Sequence, residues 1–196
     1  MAERGDLLTA TDGHSRCGWV GDDDEYRRYH DEEWGRPLRG DRALYEKLCL
    51  EAFQAGLSWI TILRKRDGFR KAFDGFAIHT VADYGEEDTA RLLADERIIR
   101  NRAKIAATIE NARVLHAWLE HEPGGLDALV WAHAPEPGPR PRTLADVHTI
   151  TPESTALARA LKGRGLRFVG PTTAYALMQS AGLVDDHLVG CWRAAH

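Results

Sequence analysis

Two stretches near opposite ends of the chain hold the residue types best suited to bind a metal. His187 and Cys191 stand four apart in DDHLVGCW, a spacing that puts both side chains on one side of a helical turn, and Cys17 and His30 form a second pair near the start. Zinc would hold such a Cys2His2 set as a closed tetrahedron with no position open to water, so the ion would be structural and would tie the two ends together. The alternative is four unrelated residues: either pair alone is a weak signal, and the interval from Cys17 to His30 is not a standard finger spacing. At this level both readings stand.

A second constellation lies in the first third. Trp19, Tyr26, Tyr29 and Trp34 surround the first Cys/His pair, and Trp59 follows. Flat side chains can stack on an extruded nucleobase, although Trp and Tyr more often simply fill the core of a small domain. Glu51, in LCLEAFQAGLSW, falls one turn beyond Leu48 at the edge of an apolar stripe. Buried there, a carboxylate carries a desolvation penalty that a cationic ligand relieves; facing solvent, it is an ordinary boundary glutamate.

The third signal is LKGRGLRFVGPTTAYALM, which reads as a helix, a tight glycine-containing turn at Leu166 to Gly170 and a second helix opened by Pro171. This is a helix-hairpin-helix pattern. Gly165 and Gly170 let backbone approach another surface, the start of the second helix favours an anion, and Lys162, Arg164 and Arg167 sit beside the turn. A DNA phosphate is the natural ligand, and a plain helical corner with a basic edge is the alternative.

The elements that must position these groups read as helices. Asp41 can cap a segment carrying Leu44, Leu48, Ala52 and Phe53, Ser58 the segment from Trp59 to Arg66, and Thr151 with Pro152 opens a helix running to Gly163. A periodic stretch from about Arg102 to Glu120 reads as a core helix, ended by Pro123-Gly124-Gly125, and AHAPEPGPRPRT reads as a surface loop. No alternating strands and no repeat stand out, so the fold class is all-α.

Composition sets the bounds. The 196 residues suffice for one domain or two small lobes, and three cysteines with no export signal argue for metal binding or burial rather than a disulfide framework. No apolar run reaches the roughly 20 residues of a membrane span, which places the protein in the cytoplasm by default. The net charge of -4 argues weakly against DNA, yet basic residues cluster at Arg64 to Lys71, Arg97 to Lys104 and Lys162 to Arg167.

Taken in order, RCGWV (16–20), YHDEEWG (29–35), AGLSWITIL (55–63), RGLRFVGPT (164–172) and DHLVGC (186–191) resemble the 3-methyladenine DNA glycosylase I family, over nearly everything from Arg16 to Cys191. The resemblance implies a helix-hairpin-helix glycosylase fold with one zinc ion joining the N- and C-terminal segments. Its ligands fall on Cys17, His30, His187 and Cys191, and Cys49 is left as a core thiol. It puts the base-recognition carboxylate on Glu51 and the pocket on Tyr26, Tyr29 and Trp59, with Trp19 and Trp34 beside them.

The organisation that follows is a polar, disordered tail over 1–15 and one glycosylase unit over 16–196. Within that unit, 16–40 and 165–196 form a zinc-stapled lobe, and 41–164 a helical lobe. The expected partner is alkylated double-stranded DNA, bound by a monomer that flips out 3-methyladenine and leaves an abasic site. Superfamily members that also nick the strand carry a lysine two residues after the second hairpin glycine; Thr172 stands there, so no lyase activity is expected. Asp185, in Val184-Asp185-Asp186-His187, is a loose match to the superfamily's catalytic aspartate, or else it orients the metal site. The rivals are a DNA-binding module without base release and a zinc hydrolase, which would need an open metal position.

Overall fold

The computed structural model describes residues 5–195. Two short strands come first, β1 (Leu7–Thr9) and β2 (Ser15–Cys17), paired antiparallel with Leu8 opposite Arg16. Helices follow: α1 (Asp24–Glu32), α2 (Asp41–Gln54), α3 (Trp59–Ala72), α4 (Ile78–Ala82), α5 (Glu86–Ala94), α6 (Arg102–Leu119), α7 (Gly125–Trp131), α8 (Pro152–Gly163) and α9 (Pro171–Ser180).

The expectation of an all-helical chain with a disordered tail over 1–15 needs correction. Residues 1–4 lie outside the described part, but Leu7 to Cys17 form a β-hairpin. Leu7 packs into a small apolar cluster with Cys17, Leu188 and Cys191, which supplies the burial that local sequence does not reveal.

Helix α2 is the centre of the molecule. Its buried residues, from Leu44 to Phe53, point to several sides, so its buried surface is not one stripe, and it packs against α3, α6, α7 and α9. Polar residues that would normally face water, Lys47 and Glu51, are therefore carried inside. Asp41 stands at the first position of α2, where a carboxylate complements the helix dipole. It does not cap its own helix: its oxygens accept from the backbone N–H groups of Gly124 and Asp127, capping α7 instead. Ser58 precedes α3, but its hydroxyl meets Thr61 Oγ1 rather than a backbone N–H.

The other helix starts behave as the sequence indicates. Asn101 Oδ1 accepts from Lys104 N, and Thr151 and Ser154 cap α8 reciprocally behind Pro152. The stretch from Pro135 to Pro141 is irregular.

The chain between α1 and α2 runs along the end of α9, with Gly35 N on Gln179 O and Leu38 N on Ala181 O. Gly182 makes that approach possible. Its φ is +74°, and a Cβ there would lie 2.5 Å from the Arg36 carbonyl carbon.

Candidate active site

A cavity of about 520 Å³ opens between α1, the ends of α2 and α9, and the loop after α7. Tyr26, Tyr29, Trp59, Trp19, Trp34 and Glu51, all named from the sequence, line it together. The rings brace one another: Tyr29 meets Trp59 at 5.4 Å between centroids, and Trp19 packs edge-on against Tyr26 at 5.3 Å and Trp34 at 5.1 Å. The Tyr26 hydroxyl accepts from Ile60 N, fixing the start of α3 and with it Trp59. The indole N–H of Trp59 is buried without a hydrogen-bond partner.

Glu51 lies at the end of α2 and is only 5 % exposed. Burial pushes its carboxyl up to about 7, against the pull of the Lys47 charge and the Ser180 hydroxyl. An acid held this way carries an unmet demand for positive charge or hydrogen-bond donors, and the cavity in front of it is where a ligand could supply them.

Behind the rings lies Lys47, 8 % exposed, with Nζ 5.1 Å from the centroids of both Tyr29 and Trp59. It lines a second, smaller cavity of about 260 Å³, where Arg66 pairs with Glu33 and Arg70 with Glu46. Sequence reading missed Lys47 because helical spacing cannot show that α2 is packed on several sides.

The other wall holds residues the sequence did not single out. Asp186 Oδ2 accepts from the Tyr175 hydroxyl at 2.7 Å and from Gln179 Nε2 at 2.8 Å, and all three line the cavity. The spacing of Tyr175 and Gln179, four apart on α9, was a usable signal. Asp185, the residue named from the sequence, is not among the lining residues. It is exposed, with Oδ2 2.8 Å from Arg140 Nε and Oδ1 accepting from His187 N. The two neighbours differ in this way in a segment that is irregular rather than helical.

The same correction applies to His187 and Cys191. Their four-residue interval is not helical; the chain turns through Cys191 N on Leu188 O. The side chains still meet, and Cys17, His30, His187 and Cys191, all buried, bring their ligand atoms within 4.8 Å of one another. Cys191 Sγ lies 3.5 Å from His30 Nε2 and 3.7 Å from His187 Nδ1. Two ligands of one tetrahedral ion with ordinary zinc bond lengths would sit about 3.6 Å apart.

Each ring is held from its far side. His30 Nδ1 faces Asp31 Oδ1 at 2.7 Å, and His187 Nε2 faces the Trp34 carbonyl at 3.3 Å. Asp31 is gripped in turn by Arg16 and by the Trp192 indole N–H. Cys49 stands apart in the core of α2, its thiol pushed up to about 12 by burial.

The turn between α8 and α9 lies at the same end of the molecule as Thr172, on the cavity rim. Lys162, Arg164 and Arg167 are exposed there, Gly165 has φ +96°, and Gly170 caps α9 without a side chain. Arg164 also stacks on Trp118 at 4.2 Å and pairs with Glu122. Asn111, from α6, clamps the turn by accepting from Arg167 N and donating to Arg167 O. Leu57, which precedes the lining residue Ser58, is 42 % exposed, next to Gly56 with its φ of +85°.

Residues 19–194 match the family described as methyladenine glycosylase. The chain is 48 % identical to DNA-3-methyladenine glycosylase 1 of Escherichia coli, over 90 % of this chain and 95 % of that protein. It is 44 % identical to DNA-3-methyladenine glycosylase of Haemophilus influenzae, over 90 % and 96 %. Among solved structures, a 3-methyladenine DNA glycosylase I superposes with a TM-score of 0.86 at 46 % identity, covering 90 % of this chain and 98 % of that one. A tyrosine-to-phenylalanine variant of such an enzyme in complex with 3-methyladenine superposes at 0.83 with 31 % identity, covering 89 % and 94 %. The helical scaffold, the aromatic cavity and the matched sequence lead to one assignment: the chain belongs to the methyladenine glycosylase family.

Proposed function

We propose that this protein is a DNA repair glycosylase that excises 3-methyladenine by hydrolysing its N-glycosyl bond. The observation that carries the reading is Glu51, a buried carboxyl raised to about 7 at the back of an aromatic cavity. A base methylated at N3 is cationic while joined to its sugar, so it relieves the desolvation of an ionised Glu51, whereas neutral adenine does not.

The duplex is held by the α8–α9 turn, a helix-hairpin-helix in this reading, with Lys162 and Arg167 toward phosphates and Arg164 partly committed to Trp118. The damaged base swings out and stacks against the cavity rings, with Glu51 accepting hydrogen bonds from it. Leu57, an exposed apolar side chain one residue before the lining residue Ser58, would fill the gap the base leaves in the duplex.

The bond between sugar C1′ and the base nitrogen breaks, and its electron pair goes to the cationic base, which departs neutral. Water then adds to C1′ and gives up a proton, leaving an abasic site. Thr172 offers no amine to the sugar, in keeping with hydrolysis without strand cleavage. Asp186 acts through Tyr175 and Gln179, which it orients on the cavity wall, and Asp185 is assigned no catalytic part.

The four ligand atoms at Cys17, His30, His187 and Cys191 fit one structural zinc ion, which when bound would join the N- and C-terminal segments and leave no position for water. The protein is read as a cytoplasmic monomer; among the described residues no helix is long and apolar enough to cross a membrane.

The test is incubation with methylated duplex DNA and chromatography of the released bases. Release of 3-methyladenine without strand cleavage, lost in Glu51→Gln, supports the reading. DNA binding with no base released would leave a binding module as the better account.

A further inference from the structure

Lys47 is a buried ammonium that the mechanism above does not use. It stands one turn before Glu51 on α2, behind Tyr29 and Trp59, 5.1 Å from each ring centroid. It lines the smaller cavity and not the one that receives the base, so the two rings stand between it and any ligand. It therefore cannot attack a sugar, and its reach is electrostatic.

The groups around this pair can be named from each packed element. Lys47 feels Glu51 and Glu46 on its own helix, Glu33 beyond α1 and Arg66 on α3. Glu33 is already matched by Arg66, which leaves Glu51 as the carboxyl in need of a counter-charge. Glu51 is faced by Lys47, by Ser180 from α9 and by Tyr29 from α1.

We propose that Lys47 is a specificity-setting positioning residue, whose ammonium keeps Glu51 in the carboxylate form that distinguishes a cationic methylated base from a neutral one. The inference rests on the role of Glu51 given above. Burial acts against the charge on both members of the pair, and each supplies the opposite charge that the other lacks. Side chains four apart on a helix are neighbours, and a unit charge about 6 Å from a carboxyl, at the effective dielectric of a protein site, is worth about two pH units.

The test is single-turnover excision of 3-methyladenine against pH for the wild type, Lys47→Met, Lys47→Arg and Glu51→Gln, with thermal melting to confirm folding. In Lys47→Met the acid limb is expected to move up by about one pH unit or more and the rate to recover toward pH 9, while Lys47→Arg restores the wild-type limb. Lys47→Gln serves if the Met variant does not fold. A limb unmoved in Lys47→Met but abolished in Glu51→Gln overturns the proposal and leaves the Glu51 reading intact. A wild-type limb retained in Glu51→Gln overturns the Glu51 reading itself.

Discussion

His30 Nδ1 lies 2.7 Å from Asp31 Oδ1, which fixes the ring tautomer and turns Nε2 toward the Cys191 sulfur 3.5 Å away. Arg16 grips both oxygens of Asp31, so the β-hairpin reaches the ligand set through one carboxylate. Asp31→Asn should weaken zinc binding roughly 10- to 100-fold, read by chelator competition, with little change in the number of ions bound. Cys191→Ser should lose the ion and lower the melting temperature. An unchanged zinc content in Cys191→Ser would remove the site.

Glu51 sets a pH dependence of stability. Burial lifts its carboxyl from 4.5 to about 7, so the folded protein holds this proton more tightly than the unfolded chain. The contribution is complete below about pH 4.5 and is lost as pH rises through about 7, amounting to about 3 kcal/mol. Glu51→Gln should therefore be the more stable protein at pH 8 while excising base far more slowly, and the gain should vanish toward pH 5. Equal denaturant midpoints at pH 8 would show that Glu51 is not desolvated in solution.

Asp186 and Asp185 separate cleanly. Asp186→Asn should slow excision by disturbing Tyr175 and Gln179, whereas Asp185→Asn, which touches only Arg140 and a backbone N–H, should leave the rate within about twofold. The reverse order would restore Asp185 as the functional acid.

Leu57→Ala should weaken binding to DNA containing an abasic site by about tenfold, the loss of one buried leucine contact, without changing the melting temperature. Equal affinity in a titration would remove the leucine from the interface.

Gly182→Ala tests the framework. With φ at +74° and Arg36 backbone 2.5 Å from the added carbon, the variant should lose about 2 kcal/mol or more and displace the segment carrying Trp34. Thermal melting would read it directly.

Local sequence determines a great deal here. Pro152 and Pro171 start α8 and α9, Asn101 and Thr151 cap their helices, and the period of Ile105, Ile109 and Ala112 defines α6, because each signal acts within a turn or two of chain. The four candidate metal ligands were legible too, singled out by type and spacing and chosen over the alternative by resemblance to a family, and so were six of the residues that line the cavity.

Tertiary structure alone decided the rest. That α2 is surrounded, so that Lys47 and Glu51 share one buried site, depends on helices far apart in sequence. That Asp186 and not Asp185 faces the cavity depends on an irregular segment with no period to read. That Asp41 caps α7, Asn111 clamps the α8–α9 turn and Leu7 packs against Cys17 depends on contacts between segments far apart in sequence. Such pairings form only when distant segments are brought together, and no residue pattern within one segment encodes its partner.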